Sequence, residues 1–149
     1  MDTREKIVDL ENLPELLSRD AWAVVPGYFD PLTAEQAQRV RSFAESGHKV
    51  LIIVQSQADS LLTAEARAEL GAALRTVSAV TISRHDEWRS LIPGSARVVL
   101  FEDEAGERKR SEKFVEFVLQ RQRANDLDRC SSHRDRSLPE YRRVVGLTR

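Results

Sequence analysis

The residues best suited to chemistry lie where a short apolar run meets a helical segment. Residues 21–25 form an apolar run ended by Pro26 and Gly27, and residues 34–46 have apolar side chains at helical spacing. In an open parallel sheet, ligands bind beyond the carboxyl ends of the strands. Gly27 lets the backbone approach a ligand closely there, and the helix N-terminus that follows offers free N–H groups to a phosphate. The pattern therefore indicates an anion-binding corner.

The same segment has a second interpretation that needs no ligand. Thr33-Ala34-Glu35-Gln36 fits a capping box, in which the Thr33 and Gln36 side chains satisfy N–H groups at a helix start. Residue types alone do not separate capping from catalysis or binding.

A second candidate anion site lies near the last predicted helix, residues 111–123. Arg108, Lys109 and Arg110 precede Ser111, which is a suitable N-cap residue. Together they could hold an anion at the helix start, whereas the alternative is a solvated loop.

The elements that position these residues alternate along the chain. Apolar, β-branched runs at residues 49–54, 79–83 and 96–101 follow the first strand, with helical segments between them, and Gly47 is expected to end the helix before residue 49. This alternation predicts an α/β protein with a Rossmann-like three-layer fold, in which helices flank a mostly parallel sheet of four to five strands. We expect this domain to span residues 1–124, followed by a polar, Arg-rich tail at residues 125–149.

Composition excludes several classes of protein. The 149 residues have a net charge of −1, with a single cysteine, Cys130. No internal disulfide, Cys/His metal cluster, membrane span or signal peptide is expected, which favours a cytoplasmic location. The charge is nevertheless divided, at −6 through residue 106 and +5 after it. Nucleic-acid binding through the C-terminal region would rest on that charge alone.

The stretch GYFDPLTAEQAQRV resembles the first βα unit of the cytidylyltransferase-like nucleotidyltransferases. In that family, Gly-x-Phe-Asp-x-Leu leads into a His-x-Gly-His motif. KIVDLENLPELL and LLTAEARAELGAALRTVSAVTI are similar to the adenylyltransferases that activate heptose 1-phosphate for lipopolysaccharide. The resemblance covers residues 6–83 well.

The resemblance implies transfer of a nucleotidyl group from a nucleoside triphosphate to a sugar phosphate or similar acceptor, with release of pyrophosphate. If the protein is active, Mg²⁺ would stabilise the charge on the transferring phosphate, and no residue of the chain is expected to be a metal ligand. By the same resemblance Arg67 would bind phosphate, the alternative being an exposed helical arginine, and the nucleotide would contact Gly27, Tyr28, Phe29, Asp30, Thr33 and Gln36. Arg108, Lys109, Arg110 and Ser111 replace the Ser/Thr-rich loop that contacts triphosphate in the family, and they would bind phosphate and nucleotide at that position.

The sequence departs from the family at its catalytic motif. Thr33 and Gln36 stand at the two histidine positions and Glu35 at the motif glycine. Neither Thr nor Gln can carry a positive charge, so any hydrogen bond to a phosphate oxygen would be neutral and weaker. The substrate loop is also short, at Gln55–Ser60, and contains no basic residue.

These departures predict a catalytically impaired pseudoenzyme that acts as a binding or assembly module. We expect a homodimer or a complex with an active relative, and neither a membrane nor nucleic acid as partner. The alternative is a divergent, active nucleotidyltransferase.

Overall fold

A computed structural model of the chain describes residues 2–101 and 104–134. Short 3-10 helices at Thr3–Lys6 and Leu10–Asn12 lead into the first α-helix, and a third 3-10 helix lies at Glu87–Leu91. The strands are β1 (Trp22–Gly27), β2 (Lys49–Ser56), β3 (Ala79–Arg84) and β4 (Arg97–Val98). The α-helices are α1 (Leu13–Leu17), α2 (Ala34–Glu45), α3 (Ala64–Ala73) and α4 (Glu104–Arg134).

The four strands form one parallel sheet in the order β3-β2-β1-β4. β1 and β2 pair along six residues, from Trp22 with Lys49 to Gly27 with Val54, whereas β1 and β4 pair only at Ala23–Arg97 and Val24–Val98. From β1 the chain runs to β2 and β3 on one side of the sheet and then returns to β4 on the other side of β1, so the strand order reverses between β1 and β4. In such sheets the crevice at the reversal is the usual ligand position.

Two hydrophobic cores lie against the sheet, one on each face, because alternate residues of a strand point to opposite faces. One core joins the sheet to α2 and α3, with members Val25, Val40, Val50, Ile52, Ala68, Ala72 and Val80. The other joins it to α1 and the third 3-10 helix, with members Leu13, Leu17, Trp22, Val24, Leu51, Ile53, Ala79 and Trp88. The predicted α/β, Rossmann-like three-layer fold is confirmed.

Helix α2 ends as the sequence predicts. Gly47 has a φ of 88°, and its N–H donates to the Ala44 carbonyl while the His48 N–H donates to that of Phe43. This is a Schellman motif, and glycine is favoured in it because its left-handed backbone would be strained with a side chain.

Three boundaries differ from the sequence prediction. β1 continues through Pro26, which the sequence predicts to end it. The Val24 carbonyl faces β4, so the backbone of Pro26, two residues later, faces the same side. The last pair between β1 and β4 is at Val24, and the missing N–H of Pro26 therefore costs no hydrogen bond in the sheet. β4 is shorter than the run at residues 96–101. α4 begins at Glu104, so Ser111 lies inside the helix and is not its N-cap.

The chain divides into two compact units, residues 1–111 and 112–149. Within the second unit α4 continues without a break past residue 124 to Arg134, and the apolar side chains of Phe114 and Leu119 are exposed. The predicted boundary between residues 124 and 125 stays a prediction. The rest of the predicted tail, residues 135–149, lies outside the described residues. Among those that are described, no helix is long and apolar enough to cross a membrane.

Candidate functional site

The candidate site lies at the carboxyl end of β1, in the first compact unit. Gly27 ends the strand, Tyr28 follows it, and Phe29 has a φ of 52° with its ring buried in the core. A Cβ placed on Gly27 would lie 3.1 Å from the Phe29 ring and 3.2 Å from Oε1 of Glu107. Glycine is therefore favoured here, because any side chain would force the Phe29 ring and the Glu107 carboxylate to shift by a few tenths of an ångström.

The carboxylate of Glu107, from the first turns of α4, fills the space beside Gly27. Its Oε2 accepts a hydrogen bond from the Tyr28 backbone N–H at 2.8 Å, and its side chain is almost fully buried, with the residue 6% exposed. Its Oε1 lies 3.5 Å from Nε2 of Gln36 and 3.4 Å from Nη2 of Arg110. A carboxylate from the chain itself thus occupies the corner that the sequence suggests for an external anion.

Thr33 and Gln36 form the predicted capping box at the start of α2. The Gln36 N–H donates to Oγ1 of Thr33 at 3.3 Å, and the Thr33 N–H donates to Oε1 of Gln36 at 3.0 Å. Both ends of the Gln36 amide are therefore engaged, one by the backbone and the other by Glu107. The capping interpretation of these two residues is confirmed.

Asp30 fixes the loop that follows β2. Its Oδ2 accepts from the Leu61 N–H at 2.6 Å and its Oδ1 from the Leu62 N–H at 3.0 Å, and the side chain is buried. The backbone carbonyl of Asp30 accepts a hydrogen bond from Oγ of Ser111 on α4. Asp30 therefore ties the carboxyl end of β1 to two neighbouring segments.

Arg67, on α3, is the buried cation of the site, with only 2% of the residue exposed. Its Nη1 donates to the carbonyls of Tyr28, at 2.6 Å, and Gln55, at 3.0 Å. Its Nη2 lies 3.3 Å from Oγ of Ser60, and its Nε donates to the Thr63 carbonyl at 3.4 Å. Four of the five guanidinium N–H groups are thus directed at oxygen atoms of the protein.

Two effects act in opposite directions on the pKa of Arg67. Desolvation lowers the pKa of the guanidinium from its ordinary value, and the nearby carboxylates of Asp30, Glu107 and Glu65 act in the opposite direction. Arginine stays charged under these conditions, because its intrinsic pKa is so high. Two buried carboxylates and this guanidinium therefore stabilise one another electrostatically.

The basic cluster lies within α4 and not in a loop before it. Arg108 and Lys109 are exposed, whereas Arg110 is partly buried and pairs with Glu107. The structure therefore brings Arg110 and Ser111 to the same end of the sheet as Gly27, Asp30 and Gln36.

Glu107 is the site residue that sequence reasoning missed. Its one sequence signal is an acidic residue directly before three bases, just ahead of the predicted helix start at Ser111. In the helical arrangement, residues three positions apart lie on one side, which places Arg110 against Glu107.

The site does not fit a magnesium ion held by protein carboxylates. The oxygens of Asp30 and Glu107 face N–H donors, and no group of three or more His, Cys, Asp or Glu residues suited to a metal occurs among the residues that the structure describes.

Fold and site together define an α/β protein of the Rossmann-like class, with an internal carboxylate at the carboxyl end of its central strand β1. No protein-family model matches the chain, and no curated protein matches it.

Proposed function

We propose that this protein has a cytidylyltransferase-like nucleotidyltransferase fold and does not catalyse nucleotidyl transfer. It acts instead as a binding or assembly module, in the cytoplasm, as a homodimer or with an active relative. The sequence resemblance supports the family, and the parallel β3-β2-β1-β4 sheet is compatible with it.

The observation that carries the proposal is the hydrogen bond between Glu107 and the Tyr28 N–H. Backbone N–H groups at such a corner ordinarily attract phosphate because they carry partial positive charge. Here the donor is already paired with a carboxylate. A triphosphate entering the corner would have to displace Glu107 or meet its negative charge in a poorly solvated place.

The residues at the motif positions support the same conclusion. Transfer at phosphorus depends on positioned donors and cations that stabilise the developing charge. Thr33 and Gln36 are neutral and bonded to each other, and Gln36 also faces Glu107. The loss of one such donor typically lowers the rate by about 10²–10³.

Arg67 supports the proposal as well. A guanidinium that served phosphate would need N–H groups directed at the ligand, whereas those of Arg67 bind carbonyl and hydroxyl oxygens of the protein. Its role is therefore to hold the site together.

The experiment is a pyrophosphate-release assay on the full chain with ATP, CTP, GTP or UTP, Mg²⁺ and a panel of sugar phosphates. We expect no release above background. A matched thermal-shift series compares the wild type with Glu107→Gln, and with Glu112→Gln on the same helix as control. We expect nucleotide to raise the melting temperature of Glu107→Gln more than that of the other two, because only that variant removes charge at the corner.

Steady pyrophosphate release by the wild type that disappears in Asp30→Ala would refute the proposal and favour the divergent active enzyme. Equal thermal shifts in all three proteins would remove Glu107 as the reason for inactivity.

A further inference from the structure

The two edges of the sheet are finished differently. At the β3 edge the segment before α1 adds a short parallel pairing, in which Ile7 bridges Val80 and the Val8 N–H donates to the Val80 carbonyl at 2.8 Å. β4 forms the opposite edge, and within the described residues no strand pairs with its outer side. Within residues 2–101 and 104–134, the β3 edge is thus covered at Val80, whereas the outer side of β4 has no paired strand.

The backbone direction of β4 identifies which groups are open. The Val99 N–H donates to the Val24 carbonyl at 2.9 Å, so the peptide groups of Val99 face β1. Because the hydrogen-bonding direction alternates along an extended strand, the N–H and C=O of Val98 face outward. Leu100 follows β4, and an extended continuation of the strand through residues 99–101 would turn its N–H and C=O outward as well.

The side chains at these two positions do not protect the edge. Val98 is 43% exposed and Leu100 is 59% exposed. Natural proteins commonly shield an open edge with charged residues, proline or a covering segment. Val98 and Leu100 carry neither a charge nor a proline ring, and at two residues apart they lie on one face of the strand.

We propose that β4 pairs antiparallel with β4 of a second copy of this chain, about a two-fold axis at Val99. Val98 then lies opposite the partner's Leu100 and Leu100 opposite the partner's Val98. Each pair can exchange two backbone hydrogen bonds, because both members have outward-facing groups. The result is a continuous eight-stranded sheet.

The side chains fit this register on both faces. Val98 meets the partner's Leu100 on one face, which buries apolar surface from both. On the other face Arg97 lies opposite the partner's Phe101, a cation–aromatic pair. Both residues already make this kind of contact within one chain, since Arg97 lies 5.5 Å from the centre of the Phe43 ring and Arg39 lies 4.4 Å from that of Phe101.

A second copy is the occupant because the same four residues supply both halves of the interface. Closed two-fold symmetry pairs both β4 edges at once and leaves neither of them available for further growth. This surface gives the proposed assembly role a location, and it does not depend on whether the protein transfers nucleotides.

The test measures the oligomeric state of the full chain over a range of concentrations by sedimentation equilibrium. We expect a dimer for the wild type. Val98→Pro removes the outward N–H without removing a bond to β1, and proline is tolerated at such an edge position. Two hydrogen bonds are lost per dimer, so the dissociation constant should rise about ten- to thirty-fold.

A charge pair tests the register itself. Val98→Glu alone and Leu100→Lys alone should each weaken the dimer. The double variant should restore it, because residue 98 of each copy lies opposite residue 100 of the other, which gives two pairs of opposite charge per dimer. Leu70→Glu, at an exposed leucine on α3, is the control and should leave the dimer unchanged.

A monomeric wild type overturns the proposal. So does a dimer that Val98→Pro leaves unchanged, or a double variant that is weaker than both single variants, provided that circular dichroism shows each variant folded. The pyrophosphate assay is independent of these outcomes, so the proposed loss of catalysis and the proposed pairing of β4 fail separately.

Discussion

The Glu107 carboxylate and the Tyr28 backbone N–H form a 2.8 Å hydrogen bond that joins the start of α4 to the carboxyl end of β1. The two residues are 79 positions apart in sequence. A bond of this length in a buried place fixes where the last helix begins relative to the central strand. The candidate site depends on that bond for its shape as well as for its charge.

Replacing Glu107 should therefore destabilise the first compact unit. In Glu107→Ala the Tyr28 N–H loses its acceptor, which we expect to lower the free energy of unfolding by roughly 1–3 kcal/mol. Glu107→Gln keeps an acceptor oxygen and should lose less. Urea denaturation measures both, and Glu112→Ala, an exposed glutamate on the same helix, should be close to neutral.

One added methyl group at Gly27 should destabilise the protein. In Gly27→Ala the new Cβ would press on the Phe29 ring and on Oε1 of Glu107, at 3.1 and 3.2 Å. Overpacking of this kind costs about 1–3 kcal/mol. Gly94→Ala is the matched control, because a Cβ there meets nothing within 4 Å. Equal melting temperatures for the two variants would contradict the tight contact.

Arg67 should be irreplaceable by lysine. Arg67→Lys keeps the charge but cannot direct four N–H groups at separate oxygens, so we expect a loss of about 1–3 kcal/mol in unfolding free energy. Arg67→Met also leaves Asp30 and Glu107 without their buried cation, which should cost about 3–5 kcal/mol. Arg75→Lys, at an exposed arginine just after α3, serves as control. A stability for Arg67→Lys equal to that of the control would show that the hydrogen bonds contribute little.

Asp30 should control a local opening. In Asp30→Ala the amides of Leu61 and Leu62 lose their carboxylate partner, and their hydrogen exchange should accelerate about ten- to a hundred-fold. Amides in β2 should change less, because its ladder to β1 and β3 remains. Asp59→Ala, an exposed aspartate in the same loop, should leave both amides unaffected. Unchanged exchange at Leu61 in Asp30→Ala would exclude this role.

Thr33 should act as a helix cap and nothing more. Thr33→Ala removes the acceptor of the Gln36 N–H and should destabilise the protein by about 1 kcal/mol. Thr33→Ser retains the hydroxyl and should restore most of that loss, as measured by thermal unfolding. A Thr33→Ser variant as unstable as Thr33→Ala would point to packing of the methyl group instead.

Local rules account for the parts of the structure that the sequence predicted. The Schellman glycine at Gly47 and the capping box at Thr33 are decided by residues within a few positions of each other. Within the predicted strand at residues 49–54, the buried run Val50–Val54 lies in β2 between β1 and β3, because its unbroken apolar pattern suits a strand covered on both faces.

The unpredicted parts depend on contacts between distant segments. The predicted start of α4 at Ser111 is seven residues late, because apolar periodicity begins only at Phe114 and the preceding turns are polar and include Gly106. β4 is short because its pairing with β1 stops at Val24 and Val98. The burial of Arg67 goes with hydrogen-bond partners from distant segments, the carbonyls of Tyr28, just after β1, and of Gln55 in β2.

The two buried tryptophans give the chain a built-in optical probe with a defined location. Trp22 and Trp88 are its only indoles, and both belong to the core shared with α1 and the third 3-10 helix. Intrinsic fluorescence therefore reports solvent entry into that layer, while the layer of α2 and α3, which carries Gln36 and Arg67, contains no indole. A loosening of the candidate site that leaves the opposite layer packed would pass unseen by tryptophan emission.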